Sequence, residues 1–244
     1  MSENYGLFIV LALLSEIIGT VSGFGSSILF VPIASLFFDF TTVLGITAVF
    51  HVFSNISKIL FFKKGVQKEI VIKLGLPAVL FVIGGAYCTK FIPVLIMELS
   101  MNIMLMMLSF YLLFHINKII QPTDCNLYIG GSVSGFLAGL VGTGGAIRGL
   151  TLTAFHLPKD IFIATSALID LGVDSSRALM YISQGYFQSK YIIFIPFLIV
   201  ISIVGNYLGK RILTMVSEIF FRYIVLIVII GTTILQLIKF SSII

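Results

Sequence analysis

The stretch VSGFGSSILFVP, Val21 to Pro32, decides how the chain folds. It sets Gly23, Gly25, three serines and a proline inside an apolar run that extends from residue 5 to residue 38. Glycine loses more backbone entropy in a helix than any other residue, and paired glycines are favoured places for a chain to leave helical geometry. A broken helix exposes peptide groups, which inside lipid must be satisfied by surrounding protein or by a water-filled cavity. The stretch therefore reads as a place that faces a polar occupant.

The rest of the chain supplies the lipid. Of its 244 residues, 59% are hydrophobic and 10% charged, with a mean hydropathy of +1.15. A soluble domain of this length needs far more surface charge, so the composition predicts an all-α integral membrane protein in one transmembrane domain. Apolar segments fall near 5–38, 41–62, 69–90, 94–116, 128–157, 159–182, 190–210 and 218–238. Six have the length of a simple span of roughly 20 residues, whereas the first and fifth are longer and carry glycine clusters. The formal charge of +5 comes mostly from lysines and arginines in short loops, which orient a membrane protein and do not suit a nucleic acid. Cys88 and Cys125 have no metal-ligand or redox spacing and read as packing residues. The N-terminal segment lacks a basic leader and an A-x-A site, so it is expected to be a retained span. The 23 phenylalanines, without a tryptophan, read as lipid-facing and core packing, and no cofactor is expected.

The halves resemble each other. An offset of 119 residues lays VSGFGSSILFVP on LVGTGGAIRGLT, Leu140 to Thr151. The same register pairs Ser15 with Ser134, Gly23 with Gly142, Gly25 with Gly144, Ala48 with Ala167, Ser57 with Ser176 and Pro77 with Pro196. With one inserted residue, GAYCTK from Gly85 aligns with GNYLGK from Gly205. Two homologous four-segment repeats follow, one over 5–116 and the other over 128–238.

Loop charges bear on their relative orientation. If the two long segments cross, positive loop residues divide seven (Lys63, Lys64, Lys68, Lys73, Lys118, Lys190, Lys239) against five (Lys90, Lys159, Lys210, Arg211, Arg222). If each enters, breaks and returns, the division is nine (Lys63, Lys64, Lys68, Lys73, Lys118, Lys159, Lys210, Arg211, Arg222) against three (Lys90, Lys190, Lys239). The positive-inside rule favours the second arrangement, which makes the repeats inverted and puts both termini outside the cytoplasm.

Chain direction gives the sign of the occupant. Residues after each break, Ser26–Ser27–Ile28 and Gly145–Ala146–Ile147, start new half-helices whose first amides lack intrahelical acceptors and carry the positive end of the dipole. Such ends attract anions. Ser26 and Ser27 add hydroxyl donors, and Arg148 adds a full charge and a donor fork suited to oxyanions. Tight small-residue packing is the competing reading of the glycines, but it leaves Arg148 beside the second break unexplained.

With these residues the chain resembles the TauE/SafE family of membrane transporters, often labelled sulfite exporters. The likeness is carried by GTVSGFGSSILFVPIASLFFDFTTVLGITAVFHVFSNI, Gly19 to Ile56, and GFLAGLVGTGGAIRGLTLTAFHLPKDIFIATSALIDL, Gly135 to Leu171. The first shows the family's pattern of two glycines followed by valine-proline at Gly23, Gly25 and Val31–Pro32; the second keeps Gly142, Gly144 and Gly145 but has Leu150–Thr151 in place of valine and proline. The resemblance implies transport of small sulfur-containing anions such as sulfite or organosulfonates. Thr151, Arg148 and Asp170 depart from the pattern and leave the substrate open.

Charged groups within spans each need a reason. His51, Asn55 and Lys58 share one helical face by i, i+4, i+7 spacing, and so do their counterparts Asp170, Asp174 and Arg177. Substrate binding is assigned to Gly25, Ser26, Ser27, Gly144, Gly145, Arg148, His51 and Asn55, and coupling or gating to Asp170, Asp174, Arg177 and Lys58. Lys58 and Arg177 lie near enough to helix ends to snorkel, or Arg177 neutralises Asp174. Asp170, at mid-span, is the first candidate for carrying a proton or pairing with Arg148; Glu16 is the second, with an outer vestibule or a dimer contact as its alternatives.

The expected function is secondary transport of small inorganic or organic anions, with proton coupling, in the cell membrane, for a bacterium the inner one. Its partners are the anion and the lipid bilayer; a homodimer is left open. An uncoupled anion channel is the alternative. An intramembrane serine hydrolase built on GFGSS and His51 is disfavoured, because the repeat counterparts of Ser26 and His51 are Gly145 and Asp170. No Walker motif is present, so ATP-driven transport by this chain alone is not expected.

Overall fold

Both glycine-rich segments are interrupted, and each doubles back on itself. The computed structural model describes residues 5–114 and 121–215 together with 227, 230, 231 and 234. In the first half, α1 (Tyr5–Ser22) and α2 (Ser27–Ala34) flank the first break and are followed by α3 (Phe40–Phe61), α4 (Lys68–Cys88) and α5 (Val94–Phe114). In the second, α6 (Asp124–Val141) and α7 (Gly145–Thr153) flank the second break and are followed by α8 (Lys159–Ser183), a 3-10 turn (Ser189–Phe194) and α9 (Ile195–Leu213). The expected segment at 218–238 lies outside the described residues save for isolated positions, as do Lys118, Arg222 and Lys239.

Backbone conformation explains where the helices stop. Gly25 has φ +84°, and Gly142 caps α6 at φ +82°, donating its N–H to Ala138 O at 3.2 Å. These values lie in the left-handed region that a side chain resists. After the first break, α2 runs back along α1: a Cβ on Gly19 would collide with the Ser26 backbone, and the rings of Phe30 and Phe38 lie 5.8 and 5.0 Å from that of Phe8. Likewise α7 returns along α6, where a Cβ on Gly144 would strike Ser134 O and one on Gly130 would strike Thr151 Oγ1. Each interrupted segment is thus a hairpin that ends where it began.

The ends of the bundle follow from these hairpins. At one end the Tyr5 ring lies 5.1 Å from Phe194, Phe38 lies 5.5 Å from Tyr191, and Thr89 Oγ1 donates to Gln184 Oε1 at 2.9 Å. At the other, Lys64 pairs with Asp160 at 2.6 Å, Lys73 with Asp124 at 2.6 Å, and Lys210 Nζ donates to Phe61 O at 2.5 Å. So α1 and α6 start from opposite ends. Among the described residues, Lys63, Lys64, Lys68, Lys73, Lys159, Lys210 and Arg211 lie at the second end, against Lys90 and Lys190 at the first.

Close glycine seams hold the halves together. On α6, Gly131, Gly135 and Gly139 present no side chain to α4, and a Cβ at any of them would strike Leu74 O, Ala78 O or Val82 O. On α9, Gly205 and Gly209 abut Glu16 and Thr20 of α1. Without a hydrophobic force between helices in lipid, such close approach is how spans gain packing energy. At the centre, α3 packs against α8.

Among the described residues five helices are long and apolar enough to cross a membrane: Tyr5–Ser22, Phe40–Phe61, Lys68–Cys88, Val94–Tyr111 and Ser189–Leu213. The 25-residue α8 falls short of that test because Asp170, Asp174 and Arg177 lie within it, turned into the protein. Helix α6 starts at Asp124, earlier than the expected 128, because Thr123 caps it by accepting from Asn126 N at 3.3 Å.

Candidate functional site

The two breaks pack on one another at the centre of the bundle. Ser27 Oγ is 3.3 Å from Thr143 Oγ1, and a Cβ on Gly145 would collide with Phe24 O. A Cβ on Gly25 would touch Arg148 Nη2 at 3.5 Å, so the first break lies against the guanidinium that follows the second. Neither α2 nor α7 has a side-chain cap, and both bring their first amides to this junction with the positive dipole end foremost.

A cavity of about 20 Å³ lies there, room for roughly one water. Gly25, Ser26, Ser27, Gly144, Gly145 and Arg148 line it from the breaks. His51, Asn55 and Lys58 line it from α3, and Asp170, Asp174 and Arg177 from α8. The residues assigned from the sequence to binding and to coupling or gating therefore line one place, whereas Gly23 and Gly142 do not line it.

Three cations face three carboxylates. Arg148 forms an ion pair with Asp170 and donates from Nε to Ser166 Oγ at 3.1 Å. Arg177 Nε is 2.7 Å from Asp174 Oδ1, while its Nη1 donates to Gly142 O at 2.5 Å, at the negative end of the α6 dipole. Asn55 Nδ2 completes Asp174 by donating to Oδ2 at 2.7 Å. Lys58 Nζ is 3.0 Å from Glu16 Oε1 and donates to Ser54 Oγ at 2.7 Å. Pairing is what makes charge tolerable at this depth.

Several expectations change here. Lys58 and Arg177 do not snorkel; they are 5% and 2% exposed and their charges point inward. Glu16 faces neither an outer vestibule nor a dimer contact, being fully buried with Ser26, Ser54 and Lys58 around it. Arg148 offers no free charge, because Asp170 already holds it. Ser54, Ser166 and Thr143 were not singled out from the sequence. Ser54 shares the face of His51 and Lys58 at spacings of three and four, and Ser166 stands four residues before Asp170, so helical spacing was the available signal.

Ser26 Oγ lies 2.8 Å from His51 Nε2, the contact a serine hydrolase requires. The order of partners is wrong for it. In a catalytic triad the carboxylate holds the far imidazole nitrogen, whereas here Glu16 Oε2 takes the serine hydroxyl at 2.6 Å and His51 Nδ1 faces Thr47 O at 2.8 Å. Among the described residues no group of histidine, cysteine and carboxylate side chains has a metal-holding arrangement.

From the central cavity a smaller space leads toward a larger cleft. A neighbouring space shares Gly25, Lys58 and Asp170 with the central cavity. It shares Gly23 and Ile163 with a cleft of about 290 Å³ at the lysine-rich end, where His156, Lys159 and Phe162 form part of the wall. Toward the opposite end the rings of Phe8, Phe30, Phe38 and Phe194 pack on one another.

Residues 7–235, nearly the whole chain, match the family model described as sulfite exporter TauE/SafE. No curated protein and no solved structure matches the chain.

Proposed function

Because the chain belongs to the TauE/SafE family of sulfite exporters, we propose that it is a proton-coupled secondary transporter of small oxyanions: sulfite, organosulfonates or related carboxylates. The observation that carries this reading is the meeting of two uncapped helix starts beside Arg148 in a buried cavity. The anion enters from the cleft at the lysine-rich end, which the positive-inside rule assigns to the cytoplasm of the cell membrane.

Binding is an exchange of partners. The central cavity holds about one water, so an oxyanion is admitted only when the Arg148–Asp170 pair opens. The anion then takes the guanidinium fork and the amides of α2 and α7, with hydroxyl donors from Ser26 and Ser27. Asp170, deprived of its cation in a low-dielectric site, is left costly as a bare charge and accepts a proton. Anion and proton thus occupy the site together, and Asp174, Arg177, Asn55 and Lys58 hold the α3–α8 contact across which it opens.

The two halves work as inverted repeats, 5–116 and 128–238, about a two-fold axis in the membrane plane. Asn55 and Asp174, counterparts at the 119-residue offset, bond to each other, as residues on such an axis do. The α4–α6 glycine seam likewise has its counterpart between α9 and α1.

Uptake by proteoliposomes tests the proposal, using sulfite, methanesulfonate and a small carboxylate, with and without a pH gradient. Arg148→Ala removes a charge-assisted contact of about 1.5–3 kcal/mol and lowers affinity roughly 10- to 100-fold. Asp170→Asn weakens the pH dependence of the affinity for methanesulfonate. Unchanged flux in both variants removes the site, and flux that neither saturates nor follows the gradient favours a channel.

A further inference from the structure

We infer that Glu16, Ser26 and His51 form a relay that binds one exchangeable proton beside the anion cavity. Its role in coupling rests on the transport reading above; its proton occupancy does not. Ser26 Oγ lies 2.6 Å from Glu16 Oε2 and 2.8 Å from His51 Nε2, both hydrogen-bond distances. His51 Nδ1 is 2.8 Å from Thr47 O, and since a carbonyl only accepts, Nδ1 carries a hydrogen. In a neutral imidazole Nε2 is then an acceptor, as is an ionised Glu16 oxygen. Ser26 has one hydroxyl hydrogen for two acceptors. One of its two contacts would set lone pair against lone pair unless the group holds one more proton.

That proton has two homes. On His51, Nε2–H donates to Ser26 Oγ and Ser26 donates to Glu16 Oε2. On Glu16, the carboxyl donates to Ser26 Oγ and Ser26 donates to His51 Nε2. Passage between them breaks Nε2–H as the hydrogen joins Ser26 Oγ, and breaks the original Oγ–H as that hydrogen joins Oε2. The proton count is unchanged, and nothing else moves.

The surroundings favour holding this proton when an anion is present. Glu16 Oε1 is already engaged by Ser54 Oγ and by Lys58 Nζ. The other charges around the cavity are Arg148 from α7 and Asp170, Asp174 and Arg177 from α8, so three cations balance three carboxylates. Each proton taken up, in the relay or at Asp170, adds one positive charge to this balanced cluster, and an anion in the cavity offsets it. Anion and proton therefore raise each other's affinity. Phe30 and Phe50, with ring centroids 5.8 and 5.0 Å from His51, shield the relay. The second half has no such group, since Gly135, Gly145 and Asp170 stand at the matching positions.

A pH-difference infrared titration of the full chain in lipid nanodiscs, free of substrate, tests the relay in wild type, Glu16→Gln, His51→Gln and Ser26→Ala. In the wild type, carboxyl and imidazole bands change together in one step. Glu16→Gln removes the carboxyl band and moves the His51 midpoint by about one pH unit or more. Ser26→Ala keeps both titrating groups but splits the single step in two, and carries the test if the other variants fail to fold. Carboxyl and imidazole bands with unrelated midpoints in the wild type, or a Ser26→Ala titration identical to it, overturn the relay. Methanesulfonate, ionised throughout, should raise the wild-type midpoint. Absence of methanesulfonate flux alongside an intact joint titration counts against anion transport alone; flux alongside separate titrations counts against the relay alone.

Discussion

Arg177 shows how much one side chain does at this depth. It pairs with Asp174, donates to Gly142 O at the end of α6, and is 2% exposed. Removing one partner of a buried pair leaves the other charge stranded, at a cost of about 3–5 kcal/mol, whereas replacing both with apolar residues of similar volume is often near neutral. Arg177→Met is therefore expected to lower stability by about that amount, and Asp174→Leu with Arg177→Met to regain most of it, read as thermal unfolding midpoints in one detergent. Equal loss in the single and double variants would mean that the Gly142 contact, not the ion pair, holds this part of the site. In the first half Lys58, the counterpart of Arg177, pairs not within its own helix but with Glu16 of the hairpin.

At the scale of the helices, the glycines divide into two kinds. Gly25 and Gly142 turn the chain, and Gly131, Gly135 and Gly139 let α6 lie against the backbone of α4. Gly135→Ala puts a methyl into Ala78 O, so the helices must separate, with an overpacking cost of about 1–3 kcal/mol. Gly84→Ala, on the other face of α4 where a Cβ meets nothing within 4 Å, should be neutral or slightly stabilising by helix propensity. Thermal midpoints of the two variants that fall together would disprove the seam. The breaks were legible because glycine and serine in an apolar run carry an unmistakable backbone cost. The seam was not, because glycines four apart occur in many spans and nothing local says which helix they meet. The site divides likewise: the spacing of His51, Asn55 and Lys58 showed one polar face, but pairing Glu16 with Lys58 depends on the angle at which the first hairpin closes.

For the whole molecule, the hairpins determine which loops share a side of the membrane. Because α2 returns along α1, the loop holding Asp39 lies at the same end as Tyr5, and because α7 returns along α6, His156 lies at the lysine-rich end with Asp124. If the long segments instead crossed, the repeats would be parallel and the two loops would emerge on one side. Single cysteines at these positions, Asp39→Cys and His156→Cys in a background with Cys88 and Cys125 replaced by serine, separate the two topologies. A membrane-impermeant maleimide applied to intact cells should label position 39 and spare position 156, which should react only after the membrane is opened. The direction follows from charge, since a side carrying Lys63, Lys64, Lys68, Lys73, Lys159, Lys210 and Arg211 is retained in the cytoplasm more readily than one carrying Lys90 and Lys190. Labelling of both from outside would break the inverted relation, and with it the argument that two helix starts reach one anion from opposite faces of the bilayer.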